Sequence, residues 1–421
     1  MLFVQMTVRK GENNMNKPTG TKRLQLALLL GSLGLLGPFT IDMYLPSFPT
    51  IVEDYETTAS LVQVSLTTCL LGLGLGQLII GPMSDVQGRR KPLRIFLIMY
   101  LIASVICAFA PSIYLFIVGR FLQGFAAAGG LVISRAIVRD IYSGRELTKF
   151  FSLLMLVGNL GPIVAPIVGG GVLSITDWNG VFIVLAGLGF VLFLIISINL
   201  EESLPVEKRV PSNLTRVLSN FGSLFKDREF LGYALTQGFI IAGIFAYVSG
   251  IPFVYQNIYG VSPQVFSLLF GVNGLALIIG TQSVGRLSDI IPERTFLKFG
   301  LFLSTTAGTC LLIALLLEAP LLAVAIPIFF LVCSIGMIST TSFALAIESQ
   351  GHIAGSASAL LGLLPFVLGS ITSPLVGVAG EYSAIPMGVV ILSTSLLALF
   401  SYFGLVRRAS LRLQTSKKYS G

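Results

Sequence analysis

The chain has 421 residues, 54% of them hydrophobic and only 11% charged, with a formal net charge of +8. Soluble domains carry about 25% charged residues, so this composition excludes an ordinary water-facing surface and places the chain in lipid. The positive excess sits in loops beside apolar runs, which accounts for it through topology and anionic lipid, without nucleic acid.

Twelve apolar stretches long enough to cross a bilayer are predicted, at 24–48, 59–82, 93–111, 113–138, 149–174, 178–200, 230–256, 263–286, 295–317, 320–347, 354–380 and 383–406. Runs this continuous specify helices, because barrel strands alternate in polarity over about ten residues. An all-α membrane protein of twelve transmembrane helices is therefore expected. Basic residues gather before the first stretch (Arg9, Lys10, Lys17, Lys22, Arg23), after the second (Arg89, Arg90, Lys91, Arg94), in the central linker and in the tail. The alternate loops carry acids such as Glu53, Asp177, Glu318 and Glu381. The positive-inside rule then places both termini on the cytoplasmic side of the inner, or cytoplasmic, membrane. The polar stretch before Leu24 leads into a full-length span with no small-residue cleavage site, so no removable signal is expected. Cys69, Cys107, Cys310 and Cys333 fall inside spans without metal spacing and are expected as packing residues, with no metal site.

The first span carries Asp42, and the fourth carries Arg120, a basic side chain in the middle of an apolar run. A cation at bilayer depth costs roughly 2.5–3.5 kcal/mol, so it normally faces protein or a watery cavity and finds a partner. Asp42 is the expected anionic partner, the alternatives being a purely structural tie of Arg120 to backbone carbonyls and, for Asp42, a place at the helix end in the outer interface. Burial disfavours a carboxylate while a nearby guanidinium favours it, so a cavity opening to alternate sides changes both terms and lets a proton load and leave. A proton entering under the membrane potential gains about 2.3 kcal/mol per 100 mV, a drive that solute exchange can capture. Gln123 shares a helical face with Arg120 and is placed to orient its guanidinium.

Between the second and third spans lies Gly81-Pro82-Met83-Ser84-Asp85-Val86-Gln87-Gly88-Arg89-Arg90-Lys91-Pro92. It is expected to be a loop, turning at its glycines, with Asp85 capping a helix or pairing with a base and the arginines anchoring to carboxylates and headgroups. Its opening recurs as Gly285-Arg286-Leu287-Ser288-Asp289, and Gly76 recurs as Gly280, all 204 positions later. A ladder of small residues, Gly161, Ala165 and Gly169, recurs 208 positions later as Gly369, Ser373 and Gly377, and such ladders let helix backbones approach closely.

The duplication predicts two six-helix bundles, at 24–200 and 230–406, with a cytoplasmic tail at 1–23, a linker at 201–229 and a second tail at 407–421. In the linker Leu214, Val217, Leu218, Phe221, Leu224 and Phe225 recur at helical spacing, as in a helix lying on the membrane surface. Duplicated halves with a site between them serve alternating access in many secondary transporters. At the 204 offset Ala246 stands opposite Asp42, so the ionisable pair belongs to the first half alone. The second half offers Gln237, Phe245, Tyr247 and Tyr255, which with Tyr44, Gln123 and Asn159 are the candidate substrate-lining residues.

These motifs resemble the major facilitator superfamily, whose signature loop places Asp85, Gly88, Arg89 and Arg90 on its defining positions, with Met83 where leucine is usual. The resemblance runs through Ile41-Asp42-Met43-Tyr44-Leu45-Pro46, Arg120 to Gly124, Ser134 to Asp140, Gly161 to Gly170 and Ala354 to Leu360. It covers essentially the whole chain and points to the Bcr/CflA-type drug/proton antiporters. It implies two pseudo-symmetric bundles in the major facilitator fold and export of small lipophilic or neutral drugs, chloramphenicol- or bicyclomycin-like. The drive would be the proton gradient, with no cofactor, and the partners would be drugs, protons and the lipid bilayer around a monomer. Gly81, Asp85, Gly88, Arg89 and Arg90, with Asp289 in the repeat, would form the gating loop. In the second half Pro292 and Glu293 replace Gly88 and Arg89, which assigns that loop less of the gating. Gly161, Pro162, Pro166, Gly169 and Gly170 would form the antiporter motif of the fifth span, its glycine pair displaced from the usual position. From the residues alone, a proton-coupled carrier of one amino acid, dipeptide or sugar stays open. An enzyme is not expected, since no metal-protease, nucleophile or nucleotide-loop motif occurs.

Overall fold

The computed structural model describes residues 20–209, 221–350 and 354–406. Leu214, Val217 and Leu218 of the expected surface helix lie outside these residues, as do most of the N-terminal tail and the C-terminal tail. Every regular element among the described residues is helical. In chain order they are α1 (Gly20–Asp42), α2 (Phe48–Asp54), α3 (Ala59–Gln87), α4 (Arg90–Ala108), α5 (Ile113–Ile141), α6 (Gly144–Val172), α7 (Trp178–Asn199), α8 (Arg228–Phe253), α9 (Pro263–Leu287), α10 (Glu293–Leu316), α11 (Leu321–Glu348), α12 (Ala354–Leu375) and α13 (Ile385–Ser401). Among the described residues eleven stretches are long and apolar enough to cross a membrane, α1 with α2 counting as one, and Leu160–Val172 of α6 adds a shorter apolar run. The chain is a multi-pass, all-α membrane protein.

Two local departures from the expected spans have clear causes. The first span is not one helix over 24–48. α1 ends at Asp42, a 3₁₀ turn occupies Leu45–Ser47, and α2 starts at Phe48. Pro46 and Pro49 lack the N–H that an unbroken helix needs at those positions, and Pro49 suits the first turn of α2 instead. The Gly81–Pro92 motif is not mainly a loop either. α3 runs through Gly81 and Pro82 to Gln87, so only Gly88 and Arg89 separate it from α4. Gly88 has φ +89°, a backbone state that favours glycine and ends the helix in a tight turn.

The chain forms two compact units. One comprises α1, the Leu71–Gln87 part of α3, and α4 to α7. In it α1 packs on α5 and α6, while α4 packs on α5 and α7. The other comprises Leu45–Leu70, which holds α2 and the start of α3, and α8 to α13. There α8 packs on α11 and α12, and α10 packs on α11 and α13. Numbered as spans, the second unit repeats the pairings of the first, which is the structural content of the duplicated sequence. The repeated glycines show why. A Cβ on Gly76 would meet the Phe125 carbonyl of α5 at 2.8 Å, and one on Gly280 would strike the Cys333 carbonyl of α11, so each marks a backbone-to-backbone approach.

Large apolar side chains such as Ile102, Val118, Ile198, Phe299 and Leu322 are exposed on these helices. On a soluble protein this much exposed apolar surface would drive association; on a spanning bundle it is the lipid-facing surface. Cys69, Cys107 and Cys333 are buried, and Cys310 is exposed.

Candidate functional site

Arg120 lies on α5 with no exposed surface, the largest fully buried side chain among the described residues. Its Nη2 donates to the backbone carbonyl of Thr40 at 2.7 Å, and its Nη1 donates to Gln123 Oε1. The guanidinium lies over the Tyr44 ring, 4.0 Å from the centroid, with the Phe182 ring at 5.5 Å. Desolvated cation–π contacts of this kind are worth about 2 kcal/mol. Tyr44 is held in turn by Phe116 and Phe182, with centroids at 6.4 and 5.6 Å, and Trp178 closes the aromatic group. Thr40 sits in the last turn of α1, where carbonyls run out of intrahelical donors and the helix dipole is negative. A guanidinium fits there for both reasons.

The expected partner of Arg120 was Asp42, but no ion pair within 4.0 Å joins them among the described residues. Asp42 is the last residue of α1, two positions beyond the Thr40 carbonyl that Arg120 holds, and is only 6% exposed. It makes no hydrogen bond to another described residue. The apolar stretch that holds Asp42 runs on in sequence to Asp54.

The small residues of α6 shape this break. Gly161 lies against Pro38 and Leu35 of α1, Ala165 is fully buried, and Gly169 faces the Met43 carbonyl directly. Pro166 and Gly170 are buried and Pro162 half-buried in the same helix. A Cβ at position 169 would run into that carbonyl, which is backbone and cannot swing away. Gly169→Ala is therefore expected to displace the Asp42–Tyr44 turn, costing about 1–3 kcal/mol by overpacking. A lowered melting temperature of the detergent-solubilised variant, with transport reduced, checks this; an unchanged melt would contradict the contact.

The Gly81–Arg90 motif builds a second cluster in the same unit. Arg89 is 6% exposed. Its Nε and Nη2 donate to the two carboxylate oxygens of Asp140 at 2.8 and 3.3 Å, and its Nη1 donates to Asp85 at 2.6 Å and to Ser84 at 2.7 Å. Burial opposes the Arg89 cation, yet the hydrogen bonds and charges of Asp140 and Asp85 outweigh it and hold its pKa above the ordinary arginine value. Ser203 adds a hydroxyl donor to Asp140 at 2.9 Å. Glu202, just past α7, accepts from the backbone N–H of Arg89 and of Arg90 at 2.7 and 3.1 Å, capping the positive end of α4. Arg90 and Arg94 return the favour by donating to the Ser197 carbonyl near the end of α7, at 2.7 and 2.8 Å. Any side chain at Gly88 would meet Glu202 Oε2 at 2.6 Å, so the glycine serves both turn and cap.

In the other unit Tyr247 is buried, accepts from Asn273 Nδ2 at 2.8 Å and stacks on Phe270 at 5.6 Å. Phe245 packs on Phe366 and against Gly369. Tyr255 is fully buried beside Phe266, and Gln237 is 7% exposed. Asp289 is exposed just beyond α9 and makes no ion pair among the described residues. The side chain of Asn159 lies outside the described residues. Thus Tyr44, Gln123 and Arg120 come together, Asp42 stands next to them in sequence, and Asp85 joins Arg89 in a separate cluster. The structure adds Thr40, Tyr100, Ser104, Phe182 and Glu202. None carried a sequence signal beyond its type, since a backbone acceptor, a span hydroxyl and a linker acid are all common.

Residues 30–374 match the family model of the Major Facilitator Superfamily. The chain is 53% identical over 395 residues to the MFS-type transporter YdgK of Bacillus subtilis (strain 168), covering 93% of this chain and 98% of that one. It is 32% identical over 381 residues to a bicyclomycin resistance protein homolog of Haemophilus influenzae, covering 90% and 96%. It is 30% identical over 376 residues to a chloramphenicol resistance protein of Pseudomonas aeruginosa, covering 88% of each. Among solved structures, a D-xylose-proton symporter superposes with TM-score 0.75 at 16% identity, covering 90% of this chain and 97% of that one, a likeness of fold alone.

Proposed function

Because the chain belongs to the Major Facilitator Superfamily, a family of membrane transporters and not of enzymes, we propose that it is a proton-driven exporter of several small lipophilic or neutral drugs, of the Bcr/CflA type. The observation that carries this reading is a buried carboxyl, Asp42, with no side-chain partner among the described residues, at a break in the first span, near a buried cation held on the same turn. Intramembrane acids in such settings mark ion pathways. The names of the relatives from Haemophilus influenzae and Pseudomonas aeruginosa supply the drug class.

In this mechanism Asp42 takes up a proton from the outer side and gives it up to the cytoplasm, while drug leaves in the opposite direction by alternating access. When Asp42 is ionised, its carboxylate competes with the Thr40 carbonyl for Arg120, a change of partner within one helical turn. The Arg89 cluster fixes the ends of α3, α4, α5 and α7 on the cytoplasmic side, with both termini cytoplasmic. The protein acts as a monomer in the cytoplasmic membrane.

The test is a drug-susceptibility panel in pump-deficient cells expressing wild type or Asp42→Asn at matched membrane levels. Wild type is expected to raise the inhibitory concentrations of chemically unrelated drugs, chloramphenicol among them, several-fold, and the variant to give background values. Protection against no compound, or full protection by the variant, would sink the proposal. Protection confined to one solute would favour a dedicated carrier.

A further inference from the structure

The contacts around Arg120 close into a ring through three helices. Arg120 Nη2 on α5 donates to the Thr40 carbonyl on α1 at 2.7 Å. The Thr40 hydroxyl donates to the Leu36 carbonyl at 2.5 Å, which uses its one hydrogen. With that hydrogen on Leu36, Tyr100 on α4 is the donor in its 2.8 Å contact with the Thr40 hydroxyl. One turn further along α4, Ser104 donates to the Tyr100 carbonyl at 2.7 Å. Gln123 Nε2 donates to Ser104 Oγ at 2.8 Å, and Gln123 Oε1 accepts from Arg120 Nη1.

The directions of the bonds from Arg120 through Gln123 to Ser104 are fixed by chemistry. Arginine has only donors, so Gln123 must turn its oxygen toward Arg120 and its amide NH₂ toward an acceptor. Ser104 is that acceptor, and it can accept because its own hydrogen goes to the Tyr100 carbonyl. Thr40, Tyr100, Ser104, Arg120 and Gln123 are all fully buried. In such surroundings a member left without its partner costs about 1–3 kcal/mol, so the ring holds together or loosens as a whole. Tyr100 is seated by Gly189 of α7, where a Cβ would lie 2.7 Å from its ring. Both ends of the ring grip Thr40, one through its carbonyl and one through its hydroxyl, two residues before Asp42.

We propose that Tyr100 and Ser104 are positioning residues that set where Arg120 and the Asp42-bearing turn lie, and so set the pH at which the exporter works. They touch neither drug nor proton. The inference rests on the proposed proton-driven export, and it assigns the control of that chemistry to α4, a helix that contributes no charged group to the site.

The experiment measures proton-gradient-driven chloramphenicol movement in proteoliposomes as a function of pH, at equal reconstituted protein, for wild type, Tyr100→Phe, Ser104→Ala and Ser104→Thr. Losing one bond of the ring is expected to displace the half-maximal pH by about 0.5–1 unit in both Tyr100→Phe and Ser104→Ala. Ser104→Thr, which keeps the hydroxyl, is expected to restore the wild-type profile. A merely structural role would lower the amount of active protein and leave the profile in place. Tyr100→Phe keeps the packed ring, so it remains readable even if Ser104→Ala folds poorly. Profiles that superimpose on wild type for both variants would overturn the inference while leaving the exporter intact. Failure of the wild type itself to move chloramphenicol or any other drug of the panel would overturn the function, and this inference with it.

Discussion

Arg89→Ala is expected to destabilise the protein by about 3–5 kcal/mol, because it removes one partner of a buried ion pair and leaves the other charged. Asp140, whose side chain is 13% exposed, would lose both of its guanidinium bonds and, among the described residues, keep the Ser203 hydroxyl. The Asp85 arm contributes less. That carboxyl is 52% exposed, and exposed pairs are worth only about 0–1 kcal/mol. Arg89→Lys is expected to recover a fraction of the loss, since a single ammonium cannot reach Asp140, Asp85 and Ser84 together as a planar fork does. Asp85→Asn should be mild for stability by the same accounting. Thermal unfolding of the purified variants in detergent orders them: Arg89→Ala lowest, Arg89→Lys between, Asp85→Asn nearest wild type. An Arg89→Ala protein melting like wild type would show that the cluster does not hold these helix ends.

Arg120→Lys is expected to lose transport about tenfold or more while still inserting in the membrane. The charge survives, but the geometry does not. The guanidinium spans the Thr40 carbonyl and Gln123 at once and lays its plane on Tyr44, and an ammonium can satisfy one of these with a poorer ring contact. Loss of one charged hydrogen bond, about 1.5–3 kcal/mol, corresponds to roughly a ten- to hundredfold change. Arg120→Ala should be worse, since it leaves Thr40 and Gln123 acceptors buried without their donor. Drug uptake into everted vesicles, normalised to protein level, measures both. Arg120→Lys activity equal to wild type would mean that only the charge matters, and the ring through Tyr100 would lose its purpose.

Much of this was legible in the sequence because lipid constrains composition so strongly. Apolar runs gave the spans, and the Gly76 and Gly280 pair announced equivalent helix approaches in each half. Arg120 stood out as a cation in an apolar run, and Gln123 was found through helical spacing alone. The break after Asp42 was hidden because hydrophobicity does not change across it; only Pro46 and Pro49 hint that the helix must restart. The Gly81–Pro92 motif looked like a loop because of its glycines and charges, yet a helix tolerates Gly81 and Pro82 where its neighbours support it. From the sequence the partner of Arg120 stays open between Asp42 and a backbone carbonyl, for a different reason. A backbone carbonyl has no letter in the sequence, and the end of α1 that offers it depends on that same hidden break. Glu202 lies 113 positions from Arg89 and reads as one more linker charge until the fold brings it to the start of α4.

The most direct measurement is proton release from purified protein in weakly buffered detergent solution when chloramphenicol is added, followed with a pH indicator. If drug and proton compete through Asp42, wild type releases protons on drug addition and Asp42→Asn releases none, although both still bind drug by equilibrium dialysis. Equal release from the variant, or drug binding to wild type with no release at all, would contradict the account.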